Sequence, residues 1–128
     1  VIDAGTAITY DFIDKSGIYR GGSISPGMRM RFRALHDYTH ALPLAEPSQM
    51  QHMPAKSTEE ALQTGVQMSM VFEIDGYINY FMEQHQELHV IMTGGDALYF
   101  EDKLKKPIFV NLNLVAIGLN TILEYNAK

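Results

Sequence analysis

The sequence contains no cysteine, which excludes disulfides and thiolate metal sites and fits a cytoplasmic protein. It has no run of roughly 18 apolar residues, so no segment reads as a membrane-spanning helix. A basic, then apolar, then small-residue opening of the secretory kind is also missing. Positive charge is scarce: Lys and Arg total 10 against 15 Asp and Glu, a net charge of −5.

That balance bears on partners. Nucleic-acid binders draw much of their affinity from phosphate neutralisation, and usually carry a basic face. The arginine cluster is Arg29, Arg31 and Arg33. Side chains two apart on a helix point about 200° apart, so the three do not form one patch. Only Arg29 and Arg33 share a face, which reads as solvated helix surface. No nucleic-acid contact is expected.

What is present is the material of one soluble domain, residues 1–128. The chain is 46% hydrophobic and 20% charged, an ordinary globular composition. It opens at Val1-Ile2-Asp3, with no Met and no lead-in to a strand. The expectation is therefore a piece of a longer polypeptide. Its severed first strand would expose an edge and favour self-association.

Val1 and Ile2 lead into a turn, Asp3-Ala4-Gly5-Thr6. Alternation predicts a strand over Ala7 to Asp14, with Ile8, Tyr10 and Phe12 facing one way, and a hairpin partner over Ile18 to Ile24. Met28, Phe32, Leu35 and Thr39 follow helical spacing to about His40. Three prolines make Leu42 to Ala55 an extended loop. Ser57 and Glu60 match a capping box, opening a long helix that runs to about Gln86, with Gly65 or Gly76 as places to bend. His89 to Met92 reads as a strand, Ala97 to Leu104 as a short helix and Pro107 to Val110 as a further strand. A closing helix carries Leu114, Val115, Leu119, Ile122 and Leu123 as its apolar face. Strands followed by helices in this order make an α/β domain with a mixed sheet and flanking helices.

Three segments could hold chemistry. In Asp3-Ala4-Gly5-Thr6, Gly5 lets backbone approach a ligand, and the following amides with the Thr6 hydroxyl can donate to phosphate. Asp3 would repel a phosphate unless a cation lay between them, so it fits a metal-bridged nucleotide; the same residues also make an ordinary turn. In Thr93-Gly94-Gly95-Asp96, two glycines at a strand-to-helix junction leave room for a flat ligand. The competing reading is a tight loop with Asp96 as helix cap. In the segment Gly21 to Gly27, glycines late in a strand mark a bulge or a close approach of another backbone, and Pro26-Gly27 ends the strand and opens a helix. Thr58 could equally be a first-turn hydroxyl satisfying free amides. His36 and His40, four apart, could reach one metal, but no third ligand stands near. Met68, Met70 and Met82 suit core or interface filling, and Tyr77, Tyr80 and Phe81 suit core or a dimer contact.

Taken in order, DAGTAITYDFID, GGSISPG, STEEALQTG, TGGDA and NLVAIGLNTILEYN resemble the type III pantothenate kinases, also described as the Bvg accessory factor family. The resemblance runs from Asp3 to Asn126. It implies the C-terminal ribonuclease H-like lobe of an enzyme in the actin and sugar-kinase superfamily, usually a homodimer. The implied activity is ATP-dependent phosphorylation of pantothenate, the first step of coenzyme A synthesis. It assigns Asp3 to a monovalent cation, potassium or ammonium, and Gly5 and Thr6 to ATP, which carries magnesium. Gly94, Gly95 and Asp96 fall in the loop near the nucleoside, and Thr58 matches a pantothenate contact.

The family's D-x-G-N-T and G-x-D-R motifs, the second carrying the general base, are not in this sequence. The chain alone is therefore expected to be inactive, with its own N-terminal lobe as the partner that completes it. The alternatives are a transcription accessory protein acting through protein contacts, and a chaperone-like or sugar-kinase relative sharing the nucleotide lobe.

Overall fold

In the computed structural model, which describes residues 1–128, the alternation of Ala7–Ile13 becomes a strand with Ile8 and Tyr10 buried and Thr9 and Asp11 half-buried. This strand, β2, follows β1 at Ile2–Ala4 and precedes β3 at Tyr19–Pro26. Asp14 shapes the hairpin turn: its Oδ1 accepts from the amides of Ser16 at 2.9 Å and Ile18 at 3.0 Å. Local bonds of this kind are why Asp favours turns.

The remaining elements are α1 (Met28–Asp37), α2 (Thr58–Gln84), β4 (Ile91–Thr93), α3 (Ala97–Phe100), β5 (Phe109–Val110) and α4 (Leu114–Asn126). The strands form one sheet in the order β3-β2-β1-β4-β5. β1 is antiparallel to β2 and parallel to β4, and β4 is parallel to β5. This is the mixed α/β arrangement expected.

Two expectations about the opening residues need correction. β1 is the middle strand, paired on both sides, so the open edges belong to β3 and β5. Asp3 and Ala4 are strand rather than turn, because Asp3 lies opposite Thr9 on one side and Thr93 on the other.

The core gathers the sheet against α1 and α2. Leu62, Val66, Met70, Ile74 and Ile78 repeat at helical spacing along α2 and are all buried. Withdrawing a side chain such as Ile74, with no exposure left, contributes about 2 kcal/mol. Tyr77 stacks on Tyr10 with ring centroids 3.9 Å apart, and Phe81 on Phe12 at 4.9 Å. Those two aromatics belong to the packing, and Tyr80 alone of the three is exposed. The start of α2 is capped as expected: Ser57 Oγ accepts from the Glu60 amide at 3.2 Å, a contact worth about 1 kcal/mol. Glu60 reaches back one residue further than a capping box requires, to the Lys56 amide at 2.8 Å. The helix continues through Gly65 and Gly76 without a break.

The shorter helices differ from expectation. α1 stops at Asp37, so His40 lies outside it and the spacing no longer brings His36 and His40 onto one face. α3 ends at Phe100 rather than near Leu104. In α4 no residue is buried, and Val115, Leu119, Ile122 and Leu123 stand exposed. Its apolar face is real, but nothing in this chain covers it.

Candidate functional site

β1 and β4 run parallel and end side by side, with Asp3 in register with Thr93. Ligand crevices in such sheets open beyond the carboxyl ends of parallel strands. The loop after β1 and the loop after β4 meet there. The Asp96 amide donates to the Ala4 carbonyl at 2.9 Å, and the Gly5 amide to the Ala7 carbonyl at 3.1 Å. Gly94 has φ +99°, and a Cβ on it would lie 2.5 Å from the Ala4 carbonyl oxygen and 2.6 Å from Asp3 Oδ1. Both the backbone angle and the space require glycine.

The segment between β3 and α1 forms a third wall. The Gly27 amide donates to the Thr6 carbonyl at 3.1 Å. A Cβ at Gly27 would collide with the carbonyl oxygens of Gly5 and Thr6. The two close approaches pin the Asp3–Thr6 loop from both sides. Asp3 and Gly5 remain half-buried, while Thr6 and Gly95 are exposed. Five of the expected positions (Asp3, Gly5, Thr6, Gly94 and Asp96) thus meet in one place, with Gly95 at its rim.

The donor set can be judged from this geometry. No three His, Cys, Asp or Glu side chains come together as metal ligands. Asp3 is a single carboxylate among backbone oxygens, which suits a hard cation shared with a ligand's own oxygens. At Asp96, burial raises the carboxyl above its ordinary pKa, and the nearby Arg29 guanidinium pulls it partly back. Asp96 does occupy the N-cap position of α3, as the competing reading had it, but its side chain makes no cap bond to the helix.

Thr58 lies elsewhere. It is exposed and lines a cleft of about 720 Å³ between α1 and α2, with Pro26, Leu35, Leu42, Leu62 and Gly65. Ser57 makes the cap bond to Glu60, and Thr58 is the first residue of the helix proper. Pro26 and Gly27 join the two regions, since Pro26 lines the cleft while Gly27 touches the Thr6 loop.

Sequence reasoning missed Arg31. Arg29 and Arg33 are exposed surface, as read, but Arg31 is half-buried. It bonds Glu73 Oε2 at 2.6 Å, Ser25 Oγ at 3.1 Å and the Pro26 carbonyl at 2.8 Å. The signal was available: Arg31 shares its helix face with Met28 and Leu35, which turns it inward. Gln67 was missed too. It is fully buried in α2, and its amide pairs with both the amide and the carbonyl of Ser48, at 2.9 and 2.8 Å. That pairing hangs the proline-rich loop on the helix.

A family model described as type III pantothenate kinase matches residues 1–80. The type III pantothenate kinase of Phocaeicola vulgatus is 52% identical over 128 residues, all of this chain and 53% of that protein. The Bacteroides fragilis YCH46 enzyme of the same name is 48% identical over 126 residues, 98% of this chain and 52% of its own length. The chain thus spans about half the length of the curated relatives it matches. Among solved structures, a Baf-family protein from Campylobacter jejuni, there described as a transcriptional activator, aligns with a TM-score of 0.55 and 23% identity. The alignment covers 98% of this chain and 57% of that one. At that identity the likeness is one of fold.

Proposed function

The chain belongs to the type III pantothenate kinase family, and we propose that it supplies the cation, ATP and substrate contacts of a pantothenate kinase completed by an N-terminal lobe. The reaction is transfer of the terminal phosphoryl group of ATP to the pantothenate hydroxyl. The chain is the C-terminal, ribonuclease H-like half of an actin and sugar-kinase type enzyme, working as a homodimer in the cytoplasm.

Phosphoryl transfer asks the protein mainly for positioning and charge neutralisation. In this reading Asp3 holds potassium or ammonium beside the phosphates, and magnesium arrives with ATP. These cations offset phosphate charge when bound. The backbone of Gly5 and the Thr6 amide and hydroxyl hold phosphate oxygens. Gly94 and Gly95 give a flat nucleoside room against the backbone, with Asp96 at its edge. Thr58 hydrogen-bonds pantothenate from the α1–α2 cleft. The general base comes from the other lobe, so this half alone is inactive.

The observation that carries the reading is the clamping of the Asp3–Thr6 loop between Gly27 and Gly94, where any side chain would collide. An ordinary turn has no need of two such approaches. The accessory-protein alternative is not favoured, because the family model and the curated relatives are described as kinases.

The test is ATP turnover by the full-length polypeptide with and without pantothenate, in potassium and in sodium. Pantothenate-dependent formation of ADP and 4′-phosphopantothenate, faster in potassium, is expected. ATP turnover indifferent to pantothenate would sink the assignment.

A further inference from the structure

We propose that Arg29 binds the phosphate chain of the nucleotide, swinging to it from a weak resting contact with Glu46. The proposal rests on the kinase reading above and adds a residue to its site. Arg29 sits in the first turn of α1, two positions beyond Gly27, whose amide bonds the Thr6 carbonyl. Its charge also acts on the Asp96 carboxyl, drawing it back toward the ionised form. The start of α1 therefore holds Arg29 two residues from the point where the helix touches the loop that would hold phosphates.

Its tether in this structure is slight. Arg29 Nη1 meets Glu46 Oε2 at 3.4 Å, with the two side chains 79% and 73% exposed. Such surface pairs contribute little and are readily given up. Arg31, two residues on and pointing the other way, is the contrast: three bonds hold it, and its side chain is only 17% exposed. Arg31 is built in, and Arg29 is held in reserve.

Charge gives Arg29 a task. Asp3 and Asp96 place two carboxylates at a site proposed to take a polyanion. A guanidinium offers a planar fork that matches phosphate oxygens, and its bonds to an anion are about twice as strong as neutral ones. Glu46 would then act as a competitor, occupying the fork until a phosphate displaces it.

The experiment measures binding of ATP, ADP, AMP and adenosine to the full-length protein, as wild type, Arg29→Ala, Arg29→Lys and Glu46→Gln. Arg29→Ala should weaken ATP about tenfold and ADP less, and leave adenosine unchanged. Arg29→Lys should recover part of the loss, and Glu46→Gln should tighten ATP about twofold. A purely structural role would weaken all four ligands alike, and that result overturns the proposal. So does an Arg29→Ala protein that binds ATP as the wild type does. If the wild type itself binds no ATP, the kinase reading is what fails, and this proposal falls with it.

Discussion

Arg31 and Glu73 meet at 2.6 Å across the contact between α1 and α2, with side chains 17% and 23% exposed. The other oxygen of Glu73 accepts the Tyr10 hydroxyl at 2.7 Å. One carboxylate therefore ties two helices and the second strand of the sheet together.

Breaking that node should destabilise the protein by more than a surface pair would. Exposed pairs are worth about 0–1 kcal/mol, while removing one partner of a buried pair costs about 3–5 kcal/mol. This pair lies between, so Glu73→Ala or Arg31→Ala should each cost about 1–3 kcal/mol. A double-mutant cycle by urea unfolding should return a coupling of about 1 kcal/mol. Additive single effects would show that the pair contributes nothing of its own.

Acid should expose the same node. Burial by itself would raise the Glu73 carboxyl, but the hydrogen bonds from Arg31 and Tyr10 hold it below its ordinary value. The unfolded chain then binds the proton more readily than the folded one, so stability is lost as pH falls. The contribution is complete above about pH 5 and fades as pH drops below about 4. Wild type and Glu73→Gln should therefore differ by a constant unfolding free energy from pH 7 to 5, and converge in stronger acid. A difference that persists at pH 3 would point to shape rather than charge.

Gly94 and Gly95 make a matched pair of substitutions. An alanine at Gly94 meets both an unfavourable φ and the Ala4 carbonyl, whereas nothing lies within 4 Å of a Cβ at Gly95. Gly94→Ala should lose at least about 2 kcal/mol, and Gly95→Ala less than about 0.5 kcal/mol. Thermal melts of the two variants decide it. Equal losses would contradict the packing described around Asp3.

Local patterns were readable before the structure because neighbours in the chain set them. The Ser57 cap, the alternation of Ala7–Ile13 and the inward row of α2 all depend on residues within a turn or two of each other. The glycines at 27 and 94 could be recognised as places of close approach, but not what approached them. Three features rest on partners far along the chain: the pairing of β1 with β4, the Gln67–Ser48 bonds and the Arg31–Glu73 pair. No periodicity encodes those. The apolar stripe of α4 predicts a buried face, and the helix leaves it exposed. Periodicity says which side wants burial and is silent on whether a partner is there.

Thr58 separates the two substrates of the proposed reaction. Because it lines the α1–α2 cleft and not the crevice around Asp3, Thr58→Ala in the full-length enzyme should raise the KM for pantothenate several-fold. A lost hydrogen bond of about 1 kcal/mol has that size. The KM for ATP should stay within about twofold, and Thr58→Ser should keep most of the affinity. Equal movement of both constants would remove Thr58 from the pantothenate site.

The loop after β1 takes its shape from residues that come much later in the chain. β2 and β3 form a hairpin from adjacent segments, whereas Gly94 and Asp96 must return across α1 and α2 to reach Ala4. Closing so long a stretch costs more entropy than closing a hairpin, so contacts of this kind form late. The hairpin is thus expected to form early and the crevice beyond β1 late, which pulse-labelled hydrogen exchange during refolding would check. A chain halted midway would carry every residue of the site and still lack the site, which makes binding at this crevice a sensitive report of complete folding.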